Sequence, residues 1–208
     1  MSLQRKPPTL PIGFRPGYWL GVLVFAIALK EAAGAEDFQV LASRQGSAVA
    51  INAQATIQAP LELIWATLTD YDRLSEFIPG IDRSHVVGRR GGTAVVEQQG
   101  SAGFLFFDYA INVVVDSIEE PPYVIGVKKV QGNIKQLEGH YQIDRLGDAD
   151  DRYILRWIGV IEPDLFLPAF MSEPLIRANV AEQFLGMVKE IERRQGLKGK
   201  NQSADGSL

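Results

Sequence analysis

The sequence has no cysteine, so it excludes a disulfide framework, a thiolate nucleophile and a zinc site built on sulfur. It has two histidines, His85 and His140, without helical or turn spacing to a carboxylate, which leaves no ligand pattern for a metal and no obvious general base. It has no block of Lys or Arg longer than a pair, and the formal charge is −4, which argues against nucleic-acid binding through phosphate contacts. Glycines at 100 and 103 precede an apolar strand pattern rather than a helix, so they lack the helix N-terminus that a phosphate cradle uses. Nothing in the pattern calls for a cofactor.

One apolar run stands out, from Trp19 to Leu29, and it is shorter than the roughly 20 residues of a permanent membrane span. Arg5, Lys6 and Arg15 precede it and Ala33-Gly34-Ala35 follow, the order of a secretory signal peptide with its small-residue cleavage site. The expectation is export, to the periplasm, after cleavage near Ala35, with retention as a signal anchor as the alternative. Residues 1–35 are therefore assigned to the signal, 36–46 to a lead-in, 47–195 to one folded domain and 196–208 to a disordered tail. With 46% hydrophobic and 22% charged residues, the chain has the composition of an ordinary globular protein.

Within the domain, residues 48–58 alternate small or apolar with polar side chains, which predicts a half-buried strand. Pro60 suits the first turn of a helix whose face is Leu61, Ile64, Trp65 and Leu68. A second short helix is expected from the caps offered by Asp70 and Asp72 through Phe77, ending at Pro79-Gly80. Six strands then follow, at 81–89, 93–99, 104–115, 123–130, 135–144 and 152–161, with 100–103 read as a turn. Side chains alternate between faces along a strand, so Phe107, Tyr109, Ile111, Tyr141, Tyr153 and Trp157 are expected on one apolar, aromatic-rich face. A long helix is expected from Ser172 or Glu173 with Pro174 to Arg194, striped by Ile176, Val180, Phe184, Met187, Val188 and Ile191.

This order is that of an α+β helix-grip fold: a curved seven-stranded antiparallel sheet wrapped around a long C-terminal helix, with two short helices after the first strand. Ile57-Gln-Ala-Pro60, Ile64-Trp-Ala-x-Leu-Thr-Asp-Tyr71, Leu74, Phe77-Ile-Pro-Gly80, Gly132-Asn-Ile-Lys-Gln-Leu-Glu-Gly-His-Tyr141 and Phe166-Leu-Pro168 carry a family resemblance. The chain resembles the START-like polyketide cyclase/dehydrase and lipid-transport superfamily, in its coenzyme Q-binding branch, over roughly residues 47–194. The resemblance implies a hydrophobic ligand: a lipid, a quinone or a polyketide.

A sheet curled round a helix leaves a concave apolar space, the usual form of a small-molecule site. The expected lining is Phe107, Tyr109, Tyr141, Tyr153 and Trp157 from the sheet, Val180, Phe184 and Met187 from the long helix, and Trp65 and Phe77 from the helix pair. The apolar connection with Leu165, Phe166, Leu167, Phe170 and Met171 is expected to gate the mouth and to touch a bilayer transiently. Glu97, Asp108, Asn112, Glu138 and Arg156 fall among strand positions that solvation explains. Three readings follow: a carrier that binds by burial without covalent chemistry, an enzyme of cyclase or dehydrase type lacking visible catalytic residues, and an interaction module with a filled interior.

Overall fold

The computed structural model describes residues 36–104, 107–147, 151–165 and 168–205. The expected signal peptide lies outside them, as do Phe166 and Leu167 of the gate. Among the described residues no helix is long and apolar enough to cross a membrane.

Eight strands form one antiparallel sheet: β1 (Glu36–Gln45), β2 (Ala48–Gln58), β3 (Ile81–Arg90), β4 (Thr93–Phe104), β5 (Phe107–Glu120), β6 (Val124–Gly132), β7 (Ile134–Arg145) and β8 (Arg152–Pro163). Between β2 and β3 lie helix α1 (Leu61–Leu68) and a 3-10 helix (Tyr71–Glu76), and helix α2 (Ala169–Asp205) follows β8. The spatial order is β1-β2-β8-β7-β6-β5-β4-β3, so β3 to β8 form a meander whose last strand returns to pair with β2. The curved sheet and the C-terminal helix make this the expected helix-grip fold, with one strand more than the seven foreseen.

The extra strand is β1, in the segment expected to be a lead-in. Phe38, Val40 and Ala42 alternate inward on it, but Leu41 faces solvent at 64% exposure and breaks the apolar period that marks a strand in sequence. Gly46, at φ +65°, closes the β1–β2 hairpin. The expected turn at 100–103 is also corrected, because β4 runs on to Phe104 and stays paired with β5 throughout. A Cβ at Gly100 would collide with the carbonyl of Gly80, so the glycine serves a close crossing of two backbones rather than a reversal of the chain.

Helix α2 differs at both ends. It starts at Ala169, ahead of the expected cap, and it continues through Gly196 to Asp205, where a disordered tail was expected. Pro174 sits inside it and provides no N–H for the carbonyl of Phe170, so the first turn is the weakest part of the helix. The second short helix is present and is a 3-10 helix.

The core is asymmetric. Helix α2 packs on β1, β2 and α1, and meets β4 only marginally. Ala53 and Ala55 of β2 are fully buried and, being small, let α2 come close; Val188 and Ile191 of α2 are fully buried as well. The other half of the sheet is left standing off the helix.

Candidate ligand cavity

The space between α2 and that far half holds two adjoining chambers of about 160 and 140 Å³. Both are lined by Ile81, Gln98, Leu137, Ile161, Val180 and Gln183, which form the waist between them. The outer chamber runs past Tyr109, Ile111 and Val113 of β5 to Pro163, Leu165 and Leu175, and Leu165 is exposed, so this end is the mouth. The inner chamber lies under the helix pair, against Leu68, Tyr71, Leu74 and Ile78, and is completed by Ser117, Tyr141, Trp157, Phe184 and Met187.

Parity along the strands sets this lining. On β5 the odd positions face the cavity, and on β4 the even ones do, Ala94 and Val96 being fully buried and Gln98 following them to the waist. On α2, Ile176, Asn179, Val180 and Gln183 share one face at helical spacing, which aims two amides at the same space as the apolar stripe.

Among the described residues, no Asp, Glu, Lys, Arg or His lines either chamber. The polar groups present are the amides of Gln98, Asn179 and Gln183 and the hydroxyls of Ser117, Tyr71, Tyr109 and Tyr141, while Gln99, which borders the outer chamber, donates its amide to the exposed Glu97. The three phenols are held differently. Tyr109 donates its hydroxyl to the carbonyl of Asn133 at 2.6 Å, and the Asn133 side chain in turn bonds Ala110 and Asn112, so this hydroxyl is spent on the fold. The hydroxyl of Tyr71 is buried without a hydrogen-bond partner. Burial, and then the nearby charge of Glu119, pushes it well above the ordinary phenol range. Tyr141 keeps some accessible surface, yet burial alone pushes its hydroxyl up to about 12. The surface it exposes is therefore that of the chamber. Both phenols stay protonated at neutral pH and are available as hydrogen-bond donors rather than as bases.

Of the expected lining, Tyr109, Tyr141, Trp157, Val180, Phe184 and Met187 are brought together around the two chambers. Tyr153 is not: it is enclosed at 2% exposure, its hydroxyl accepts from Arg145 at 3.1 Å, and that guanidinium lies over its ring. Trp65 and Phe77 line neither chamber. Trp65 packs half-buried on the core from the side of α1, while Phe77 turns to an outer groove with Pro79, Leu185 and Gly186, beneath the guanidinium of Arg194. Phe107 lies on β5, with its side chain outside what is described.

The gate is only partly a loop. Phe170 and Met171 belong to the first turn of α2, and Phe170 is 79% exposed and lines neither chamber. His85 is exposed and His140 faces away from both chambers. Glu97, Asn112 and Glu138 are exposed, and Arg156 pairs with Asp144 on the outer face. Sequence reasoning passed over Gln98, Asn179, Gln183, Tyr71 and Ser117. The signal for the first three was a polar residue at an inward position of an otherwise apolar face.

A family model described as polyketide cyclase / dehydrase and lipid transport matches residues 57–185, well over half of the chain. The chain belongs to this family. Among solved structures, this family member is similar to the Zhui aromatase/cyclase from a Streptomyces species, at TM-score 0.59 and 15% identity over 71% of this chain and 95% of that one. It is similar also to a START superfamily protein from Mycobacterium smegmatis, at TM-score 0.56 and 17% identity over 68% and 98% of the two chains. A STAR-related lipid transfer protein from Xanthomonas axonopodis aligns at TM-score 0.56 and 9% identity over 76% and 99%. At these identities the likeness is one of fold. No curated protein matches the chain.

Proposed function

We propose that this polyketide cyclase/dehydrase and lipid-transport family member is an exported carrier. It holds a neutral hydrophobic molecule, a lipid or an isoprenoid quinone, in its two-chambered cavity and performs no covalent chemistry on it. The observation that carries the reading is the lining: two connected chambers whose polar groups are all uncharged amides and hydroxyls. Burying apolar area stabilises by roughly 25 cal/mol per Å², so a long acyl or isoprenoid chain is retained with few polar contacts. An ionised head would lose its hydration there without a charged partner.

Export rests on the signal-like order of residues 1–35, and the coenzyme Q-binding branch on the motifs at 57–80 and 132–141. Leu165 at the mouth and the exposed Phe170 on the first turn of α2 supply apolar surface through which the carrier meets a bilayer while cargo passes. The test is native mass spectrometry on protein purified from the source envelope, then organic extraction, then reloading of the emptied protein from liposomes. The expected result is a neutral lipid or quinone at near-stoichiometric yield, with reloading slowed by Phe170→Ser. A protein that is empty as isolated and takes up no lipid, quinone or fatty acid contradicts the reading and favours an interaction module. Recovery of a chemically altered cargo favours the cyclase or dehydrase class.

A further inference from the structure

Trp157 forms one wall of the inner chamber in an unusual setting. Gly139 and Gly159 face each other across β7 and β8, and a Cβ on either would come within 2.9 Å of Trp157 Cη2 or 3.0 Å of its Cζ2. The indole therefore lies along bare backbone that no other residue type would leave free. Tyr141 is the direct cross-strand neighbour of Trp157, with ring centroids 4.9 Å apart and planes inclined by 47°. The pair gives the chamber an aromatic floor with a phenol beside it.

That phenol is unspent. No hydrogen bond engages the Tyr141 hydroxyl among the described residues, whereas Tyr109, on the wall of the outer chamber, is tied to the carbonyl of Asn133. The Tyr141 hydroxyl keeps accessible surface in the chamber and has no partner there among the described residues, so it is free to donate to an occupant with an acceptor oxygen. Chamber size narrows the occupant further. A dry apolar cavity of about 150 Å³ admits a single benzene ring, and the inner chamber is about 140 Å³. One ring fits there. The outer chamber leads from the waist to the mouth and suits a chain.

We propose that the inner chamber is a head-group site for one neutral, conjugated ring bearing a carbonyl, of the quinone or cyclic enone class, which lies against Trp157 and accepts a hydrogen bond from Tyr141. The ligand enters head first and its apolar tail fills the outer chamber. This deepens the carrier reading and rests on it. Aromatic stacking supplies contact with the ring face, and the Tyr141 hydroxyl selects for the oxygen.

The test uses the full chain and two probes with the same tail, a decyl-substituted benzoquinone and decylbenzene, each titrated by calorimetry against wild type and Tyr141→Phe. Wild type is expected to bind the quinone about 3- to 10-fold more tightly than the hydrocarbon, the worth of one hydrogen bond. Tyr141→Phe is expected to abolish that preference and leave decylbenzene binding unchanged. If wild type binds both probes equally, or the variant keeps the preference, the head-group site is overturned while the carrier reading stands. If wild type binds neither probe, the carrier reading itself falls.

Discussion

On β2, the inward side chains Val49, Ile51, Ala53, Ala55 and Ile57 are each at most 2% exposed, because α2 lies directly on them. On β5 and β7, Tyr109, Ile111, Leu137 and Tyr141 point inward with the same alternation, yet all remain partly accessible. One binary pattern thus produces a packed half and a hollow half. The difference lies in size: small residues on β2 draw the helix in, while the far strands cannot follow it and enclose space instead. Burial is a property of the pair of facing surfaces, so hydrophobic period alone does not distinguish a wall from a core.

Truncation separates the two halves most sharply. Leu155 on β8 is fully buried between Ala55 and Ile143, and Leu155→Ala is expected to cost about 2 to 5 kcal/mol in urea unfolding, as for a new void in a packed core. Val127, which already borders the inner chamber, is expected to lose about 1 kcal/mol or less on change to Ala. Equal losses at the two positions would mean that the far half is packed as densely as the near one.

A smaller effect concerns how the helix pair is fastened to α2 on the packed side. Glu190 is buried at 6% exposure and accepts from Arg193 at 2.6 and 2.7 Å and from Arg194 at 2.7 Å, while Arg194 reaches Asp70 at 2.8 Å. The Arg193 hydrogen bonds foremost, and then those of Arg194, hold the Glu190 carboxyl down to about 2 from its ordinary 4.5. A carboxyl lowered by folding contributes stability above its unfolded value, and that contribution is lost as pH falls from about 4.5 through about 2. Glu190→Gln is expected to remove this slope and to cost about 1 to 2 kcal/mol at neutral pH, since Arg193 is half exposed and screened. Urea titrations at pH 7, 4 and 3 check it, and parallel pH profiles for wild type and variant would contradict it.

The fold was legible because alternation, Pro60, the Pro79-Gly80 stop and the stripe on α2 are local signals that tertiary packing reinforces. β1 was not legible, since Leu41 faces solvent and the strand depends on pairing with β2. The far end of α2 was missed because Gly196 reads as a terminator, although the helix passes through it. In the site, strand parity placed Tyr109, Tyr141 and Trp157 on the chamber walls, whereas Tyr153, of the same parity, is enclosed in the core. Phe77 and Trp65 do not reach the chambers either: Phe77 caps the end of the 3-10 helix and turns to an outer groove, while Trp65 lies at the edge of the buried face of α1, which is set by Leu63, Ile64, Thr67 and Leu68. The polar groups at the waist and inner end were overlooked for a different reason: one Gln on an apolar face reads as an interruption until the space in front of it is known.

Leu137 stands at the waist and lines both chambers, so Leu137→Trp fills the cavity from within while leaving the packed half untouched. The decisive measurement is a calorimetric titration of wild type and Leu137→Trp with a neutral quinone or lipid, alongside thermal melting of both. The account expects wild type to bind and the variant to melt normally and bind at least about 10-fold more weakly, the effect of occupying the space that the ligand needs. A well-folded Leu137→Trp that binds as tightly as wild type would place the ligand elsewhere and contradict the cavity as the functional site.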